Sequence, residues 1–178
     1  MDEIRIGVAG LGSRGRYWLS SLQGIPGYRI TAVCDTVATL RDRALAQLGN
    51  PHDVAACGNY DDLLGNPCVD AIALCVRCKE QGAMAAQALE AGKHVNMEVP
   101  AAHTLEDCWR IVVAAERSGK IYHLAEQTRY WGFVDAWQQL VAEDRLGHVT
   151  YADGEYFGYY PRLYYRDPDT GEYYDLQR

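Results

Sequence analysis

"GVAGLGSRGR", Gly7–Arg16, decides the fold. Gly10, Gly12 and Gly15 stand in G-x-G-x-x-G spacing, and each meets a separate demand: a tight turn, close backbone approach to a pyrophosphate, and close packing of helix on strand. The residues before the loop read as a strand, with Ile4, Ile6 and Val8 on one face. Gly12 to Gly24 reads as a helix, with Trp18, Leu22 and Ile25 at helical spacing. A strand running through a glycine turn into a helix is the context that gives this pattern meaning, because the helix start aims free N–H groups and a partial positive charge at phosphate. An acid follows where the pattern requires one. Asp35 closes the second strand, "YRITAVCD", twenty residues beyond Gly15 (35 − 15), in position for an adenosine ribose 2′-OH.

Outward from the loop, strands and helices alternate. A helix over 36–49 carries Leu40, Ala44 and Leu48 on one stripe. "VAAC" is a short third strand, and "YDDLLGNP" a single helical turn. "VDAIALCV" is a fourth strand, nearly all apolar, as expected of a strand covered on both faces. Glu80–Ala91 reads as a helix with Met84, Ala88 and Leu89 inward, and "HVNM" as a fifth strand. Thr104 begins a helix with Asp107 three residues on, a variant capping box; Leu105, Cys108, Trp109 and Val112 are its expected apolar stripe. "IYHLAE" is a sixth strand. This order predicts an α/β fold: a Rossmann-type doubly wound parallel sheet with helices on both faces and ligands at the carboxyl ends of the strands.

The character changes after Glu126. A helix is expected over "FVDAWQQLVAEDRLG", with Phe133, Trp137, Leu140 and Val141 inward, then a longer strand over "HVTYADGEYFGYY". The last 28 residues hold eight of the thirteen tyrosines. The expected organisation is a dinucleotide-binding domain over 1–127 and, over 128–178, the start of a second α/β domain that the chain does not finish. The tail is expected to fold over the first domain, to pair with another chain or to be loose; an unfinished sheet exposes a pairing edge, and with the tyrosines a homo-oligomer is one of the outcomes.

Composition narrows the partners. Of 178 residues 48% are hydrophobic, enough for a real core, and the formal net charge is −7. That charge disfavours nucleic acid and anionic membrane as main partners. No apolar run reaches the ~20 residues of a membrane span. The acidic start "MDEIRIGVAG" does not read as an export signal, so a cytoplasmic protein with six reduced cysteines is expected. Cys75 and Cys78 form a C-x-x-C, but Cys75 ends a strand, and no second Cys/His pair completes a zinc site. They read as small buried side chains, and no metal is expected.

The stretches "GVAGLGSRGR", "AVCD", "ALEAGKHVNMEVPAAHTLEDC" and "LAEQTRYWGFVDAWQQLV" together resemble the Gfo/Idh/MocA oxidoreductases. The third is the most specific, being similar to that family's A-L-x-A-G-K-H-V-x-x-E-K-P. A methyltransferase that binds S-adenosylmethionine also has a glycine loop and an acid after its second strand, but leaves the Glu-x-Pro after strand five unexplained. The resemblance implies a dinucleotide cofactor and a sugar- or polyol-like substrate. Carried over by position, Gly10, Leu11, Gly12, Ser13, Arg14 and Gly15 would hold the pyrophosphate and Asp35 the ribose. Val76 would lie under the nicotinamide side, Gln81 would frame the site, Glu98 would reach the nicotinamide ribose and Gln127 would sit by the ring. NAD is favoured, since a 2′-phosphate beside Asp35 meets a repulsion of about 4 kcal/mol per charge pair at 4 Å and an effective dielectric near 20. NADP stays open, because Arg14, Arg41 or Arg43 could offset it.

This sequence departs from the family pattern at three places. Val99 replaces the Lys of E-K-P and can neither charge nor donate; it reads as a packing residue at a strand end. Arg77 and Gln81 stand where P-x-x-x-H is common; Gln cannot titrate, and Arg77 is expected to face water. The family's second catalytic group, often a His, lies far along a C-terminal domain, and His148 reads as a solvated loop residue. No catalytic residue is therefore assigned; His94 reads as structural. The leading expectation is the NAD(P)-binding domain of an oxidoreductase passing a hydride between nicotinamide and a sugar-like alcohol. The alternatives are an NAD-dependent glycoside hydrolase of the same family and a non-catalytic or truncated dinucleotide-binding protein.

Overall fold

The structure is a computed structural model that describes residues 3–155, 164–167 and 173–175. Contacts divide the chain into two units, Met1–Ala125 with Arg166–Glu172 and Glu126–Tyr165 with Tyr173–Arg178.

The first unit holds a six-stranded sheet: β1 (Ile4–Ala9), β2 (Tyr28–Cys34), β3 (Ala55–Cys57), β4 (Ala71–Leu74), β5 (His94–Met97) and β6 (Tyr122–Leu124). The spatial order is β3-β2-β1-β4-β5-β6 and every pairing is parallel. Between the strands run α1 (Ser13–Gln23), α2 (Ala38–Gln47), α3 (Tyr60–Leu64), α4 (Cys78–Glu90) and α5 (Leu105–Ser118). This is the doubly wound order, reversing direction between β1 and β4.

Side-chain alternation, reset in β2 by an irregularity between Ile30 and Ala32, explains the two layers. Ile6 and Val8 of β1, Ile30 and Val33 of β2 and Ala73 of β4 point to one core, closed by Leu19 and Leu22 of α1 and Leu40 and Ala44 of α2. Ala9, Ala32, Ile72, Leu74, Val95 and Met97 point to the other, closed by Leu63 of α3, Ala85 and Leu89 of α4, and Ile111 and Ala114 of α5. Ile72, Ala73 and Leu74 are all buried, as the apolar run of β4 requires. Ile4 and Ile25 stay exposed at the amino-terminal rim. The Thr104 side chain accepts from the Asp107 N–H, as the capping box predicts.

The helix stripes differ from expectation in two places. Leu105, Trp109 and Val112 are exposed, with Trp109 at 66%. The buried stripe of α5 lies one position round, on Ile111 and Ala114 with Ala115 packed beside them. The helix carries apolar residues on two adjacent stripes, and periodicity alone does not say which one meets α4. In the second unit, α6 (Gly132–Ala142) follows a 3-10 helix (Gln127–Tyr130) and buries no residue. Phe133, Trp137 and Val141 are exposed rather than inward. Within this unit α6 packs mainly on the 3-10 helix, so its rings meet one another: Trp131 and Phe133 at 5.4 Å, Phe133 and Trp137 at 4.8 Å between centroids.

Residues 148–155 form no strand, against the long strand expected there, and 156–160 lie outside the described residues. Two short strands, β7 (Tyr164–Arg166) and β8 (Tyr173–Asp175), pair with each other. The tyrosine-rich tail expected to offer an association edge lies largely outside the described residues. No helix of the described residues is long and apolar enough to cross a membrane.

Candidate functional site

The carboxyl ends of β1, β2, β4 and β5 carry nearly all the residues singled out from the sequence. Main-chain bonds extend the parallel ladder up to this rim: Gly10 N–H to the Cys34 carbonyl at 2.9 Å, Cys75 N–H to Ala9 at 2.8 Å and Glu98 N–H to Leu74 at 3.0 Å.

The loop is built on two glycines that nothing else replaces. Gly10 has φ +84°, and a Cβ there would lie 2.4 Å from the Cys75 carbonyl oxygen and 3.1 Å from Val76 Cγ1. A Cβ on Gly15 would lie 1.8 Å from the Gly10 carbonyl oxygen. Both glycines let the loop pack tightly against itself and the end of β4. Gly12 is the N-cap of α1, with no side-chain cap hydrogen bond and no acid in the first turn. Ser13 and Arg14 open its first turn, whose free N–H groups suit an anion. Leu11 is fully buried and anchors the loop from below.

Asp35 faces this loop. Its Oδ2 accepts from the Leu11 N–H at 2.8 Å and its Oδ1 from the Val37 N–H at 3.0 Å. The carboxylate joins the turn after β1 to the turn after β2, and its position is fixed from both sides. Of the arginines considered for a 2′-phosphate, Arg41 donates from Nη1 to the carbonyls of Asp35 at 2.6 Å and Thr36 at 3.2 Å, so a guanidinium stands at this end of the crevice. Arg14 turns the other way, to Glu98.

The corner after β5 is the least expected part. Glu98 is 8% exposed. Its Oε1 accepts from Arg14 Nε at 2.6 Å and from Trp18 Nε1 at 2.5 Å. Trp18 was legible in the sequence only as a core residue of α1. The signal available was its spacing: Arg14 and Trp18 are i and i+4, hence on one face of the helix. The Val99–Pro100 peptide is cis. Val99 is 43% exposed, so it does not pack into the strand end as expected; its side chain stands at the rim and brings no polar group there. Gln81 is 1% exposed, and its amide nitrogen donates to the carbonyls of Glu98 at 3.0 Å and Pro100 at 2.5 Å. It holds the corner's main chain from behind.

The remaining singled-out residues are placed plainly. Arg77 is exposed as the N-cap of α4, and His94 accepts the Ile121 N–H on Nδ1 at 3.0 Å, a structural role. His148 is exposed in a bend. Cys75 is partly buried, but Cys78 is exposed, because it opens α4 beyond the end of the sheet. Burial, with the Glu98 charge adding to it, pushes the Cys75 thiol up to about 12, the opposite of what a reactive redox thiol needs. Gln127 lies in the 3-10 helix of the second unit.

The arrangement fits a dinucleotide: a tight glycine loop that tolerates no Cβ at Gly10 or Gly15, a helix start without a side-chain cap, and a carboxylate fixed at the loop's edge. Comparison with known proteins agrees. The sequence model of the oxidoreductase family with NAD-binding Rossmann fold, Gfo/Idh/MocA, matches residues 4–126. A glycosyl hydrolase family 109 protein of Shewanella putrefaciens is 35% identical over 136 residues, covering 73% of this chain and 30% of its own length. Glycosyl hydrolase family 109 protein 2 of Phocaeicola vulgatus is 30% identical over 177 residues, covering 97% of this chain and 43% of its own. The chain thus spans less than half the length of these relatives. Among solved structures, the scyllo-inositol dehydrogenase of Lactobacillus casei with bound NAD(H) and scyllo-inositol superposes with a TM-score of 0.76 at 23% identity, over 84% of this chain and 44% of that one. That likeness speaks for the fold. With the glycine cradle, Asp35 and a family match across the whole sheet, this chain belongs to the Gfo/Idh/MocA oxidoreductases and carries their NAD-binding Rossmann domain.

Proposed function

We propose that the first unit binds NAD for hydride transfer to or from a carbon of a sugar- or polyol-like substrate. The observation that carries this reading is the pairing of a tight glycine loop, in which a Cβ at Gly10 or Gly15 would clash with main chain, with the Asp35 carboxylate across the β1–β2 turns. In it, Gly10, Leu11, Gly12, Ser13, Arg14 and Gly15 hold the diphosphate, Asp35 the adenosine ribose, and Glu98 the nicotinamide ribose, with Val76 beneath the ring. Gln81 fixes the main chain that presents Glu98. The bound nicotinamide supplies the hydride chemistry; the chain's residues orient it and exclude water. Asp35 favours NAD over NADP, since a 2′-phosphate would be brought against a carboxylate. Val99 places no acid or base beside the hydride position, so proton transfer falls to a group elsewhere in the assembled enzyme.

A second reading is favoured by a specific observation: the relatives at 30–35% identity are glycosyl hydrolase family 109 proteins. In it the same domain holds a nicotinamide that is oxidised and reduced within one turnover, and the net result is glycosidic cleavage. Incubation with NAD and separate panels of polyols and aryl glycosides discriminates the two. Net NADH with a polyol supports the first. Aglycone release that needs bound NAD, with no net NADH, supports the second. Failure to bind NADH at millimolar concentration ends both.

A further inference from the structure

We infer that Arg14 and Trp18 are positioning residues that lock Glu98 into the dinucleotide site, and that Arg14 thereby couples the diphosphate end of the site to its nicotinamide-ribose end. This rests on the proposed reading of the loop as a dinucleotide site. A carboxylate whose side chain is only 10% exposed needs partners, because an unpaired buried charge is costly. Glu98 has two, both on Oε1: the Arg14 guanidinium at 2.6 Å and the Trp18 indole at 2.5 Å. Oε2 accepts no protein hydrogen bond among the described residues and is the oxygen turned over to a ligand hydroxyl. The main chain at Glu98 and just after it is clamped by Gln81, through the carbonyls of Glu98 and Pro100. Glu98 is therefore fixed at both ends before any ligand arrives, which lowers the ordering cost of binding.

Arg14 does this from within the glycine loop, between Gly12 and Gly15. A diphosphate cradled there lies on the same element as the guanidinium that holds Glu98, so one cation serves two anionic groups. Trp18 adds a neutral donor one helical turn on, and Arg14 is itself steadied by the Tyr17 ring, 5.1 Å from its centroid. If Arg14 served only as a positive charge for phosphate, its removal would cost the same whether or not residue 98 is a carboxylate. If it acts through Glu98, the two substitutions are coupled.

The test is a double-substitution cycle with NADH fluorescence as the readout and ADP binding as the control. In the native Glu98 background, Arg14→Gln is expected to weaken NADH about tenfold more than it does in the Glu98→Gln background. Trp18→Phe is expected to weaken NADH a few-fold with Glu98 present and not with Glu98→Gln. Arg14→Lys, which keeps the charge and loses the directional Nε donor, is expected to recover part of the loss; it replaces Arg14→Gln in the cycle should that variant fail to fold. Equal losses in both backgrounds overturn the inference while leaving the dinucleotide reading intact. Absence of both NADH and ADP binding to the native chain overturns the reading itself and the inference with it.

Discussion

The two ends of the same parallel sheet are both charged, and they use charge in opposite ways. At the amino end, Arg5 at the start of β1 grips Asp70 with Nε at 2.9 Å and Nη2 at 2.6 Å, and the Arg5 N–H donates to the same carboxylate at 2.9 Å. Lys93 caps the Asn66 and Val69 carbonyls at 2.8 Å each. Donors and acceptors are matched within the chain. At the carboxyl end, Asp35 and Glu98 are held just as firmly, but around a helix start with no side-chain cap and a tight glycine turn. At the first end the charged groups pair with one another and stabilise the sheet; at the second they surround the turn that opens α1. In a doubly wound sheet the strand order reverses at the β1–β4 crevice, so the carboxyl end is where a ligand meets the chain.

That contrast breaks most easily at Gly15. Gly15→Ala puts a Cβ 1.8 Å from the Gly10 carbonyl, and the loop must open. NADH affinity is expected to fall at least a hundredfold, about 3 kcal/mol; native-like binding by fluorescence titration would sink the cradle. Gln81→Leu sharpens it, since a buried residue at the binding end acts on stability. It leaves the carbonyls of Glu98 and Pro100 without their donor, at a cost of about 2 kcal/mol in denaturant unfolding. Unchanged stability would mean that water or another donor replaces the amide.

At the other end, Asp70→Asn is expected to cost about 1 kcal/mol near neutral pH, discounted for the solvent exposure of the pair, and to leave NADH affinity unchanged. The hydrogen bond from Arg5 holds the Asp70 carboxyl down at about 2. With its folded pKa depressed, Asp70 contributes fully above its unfolded pKa, about 3.9, and loses that contribution as pH falls through about 2. The difference in stability between the native chain and Asp70→Asn should therefore shrink across that window; a difference constant with pH contradicts the assignment. The smallest effect is chemical: at neutral pH, alkylation followed by mass spectrometry should mark exposed Cys68 and Cys78 well before Cys75, whose thiol burial pushes up to about 12.

Much of the carboxyl end was legible in the sequence. The glycine spacing, the distance to Asp35 and the strand–loop–helix setting each follow from local geometry. The partners of Glu98 were not, because Arg14 and Trp18 lie 84 and 80 residues away in sequence and only the fold brings them together. Gln81 read as a residue framing the site in place of a His, whereas burial turns its amide onto main-chain carbonyls. Val99 read as packing, whereas its side chain stands at the rim. The stripes of α5 and α6 were misjudged for one reason: periodicity shows that a helix has an apolar face, and the neighbouring layer decides which face is buried. At the amino end, the Arg5–Asp70 pair gave no signal, since its members are 65 residues apart.

The central claim is that a dinucleotide lies along the carboxyl rim, with its diphosphate in the glycine turn. Amide chemical-shift mapping during an NADH titration tests it most directly. The account predicts shifts at Gly10 to Gly15, at Asp35 and at Glu98, with Arg5, Asp70 and Lys93 unmoved. Silence of the loop amides at millimolar NADH, or shifts confined to the amino-terminal rim, would contradict it.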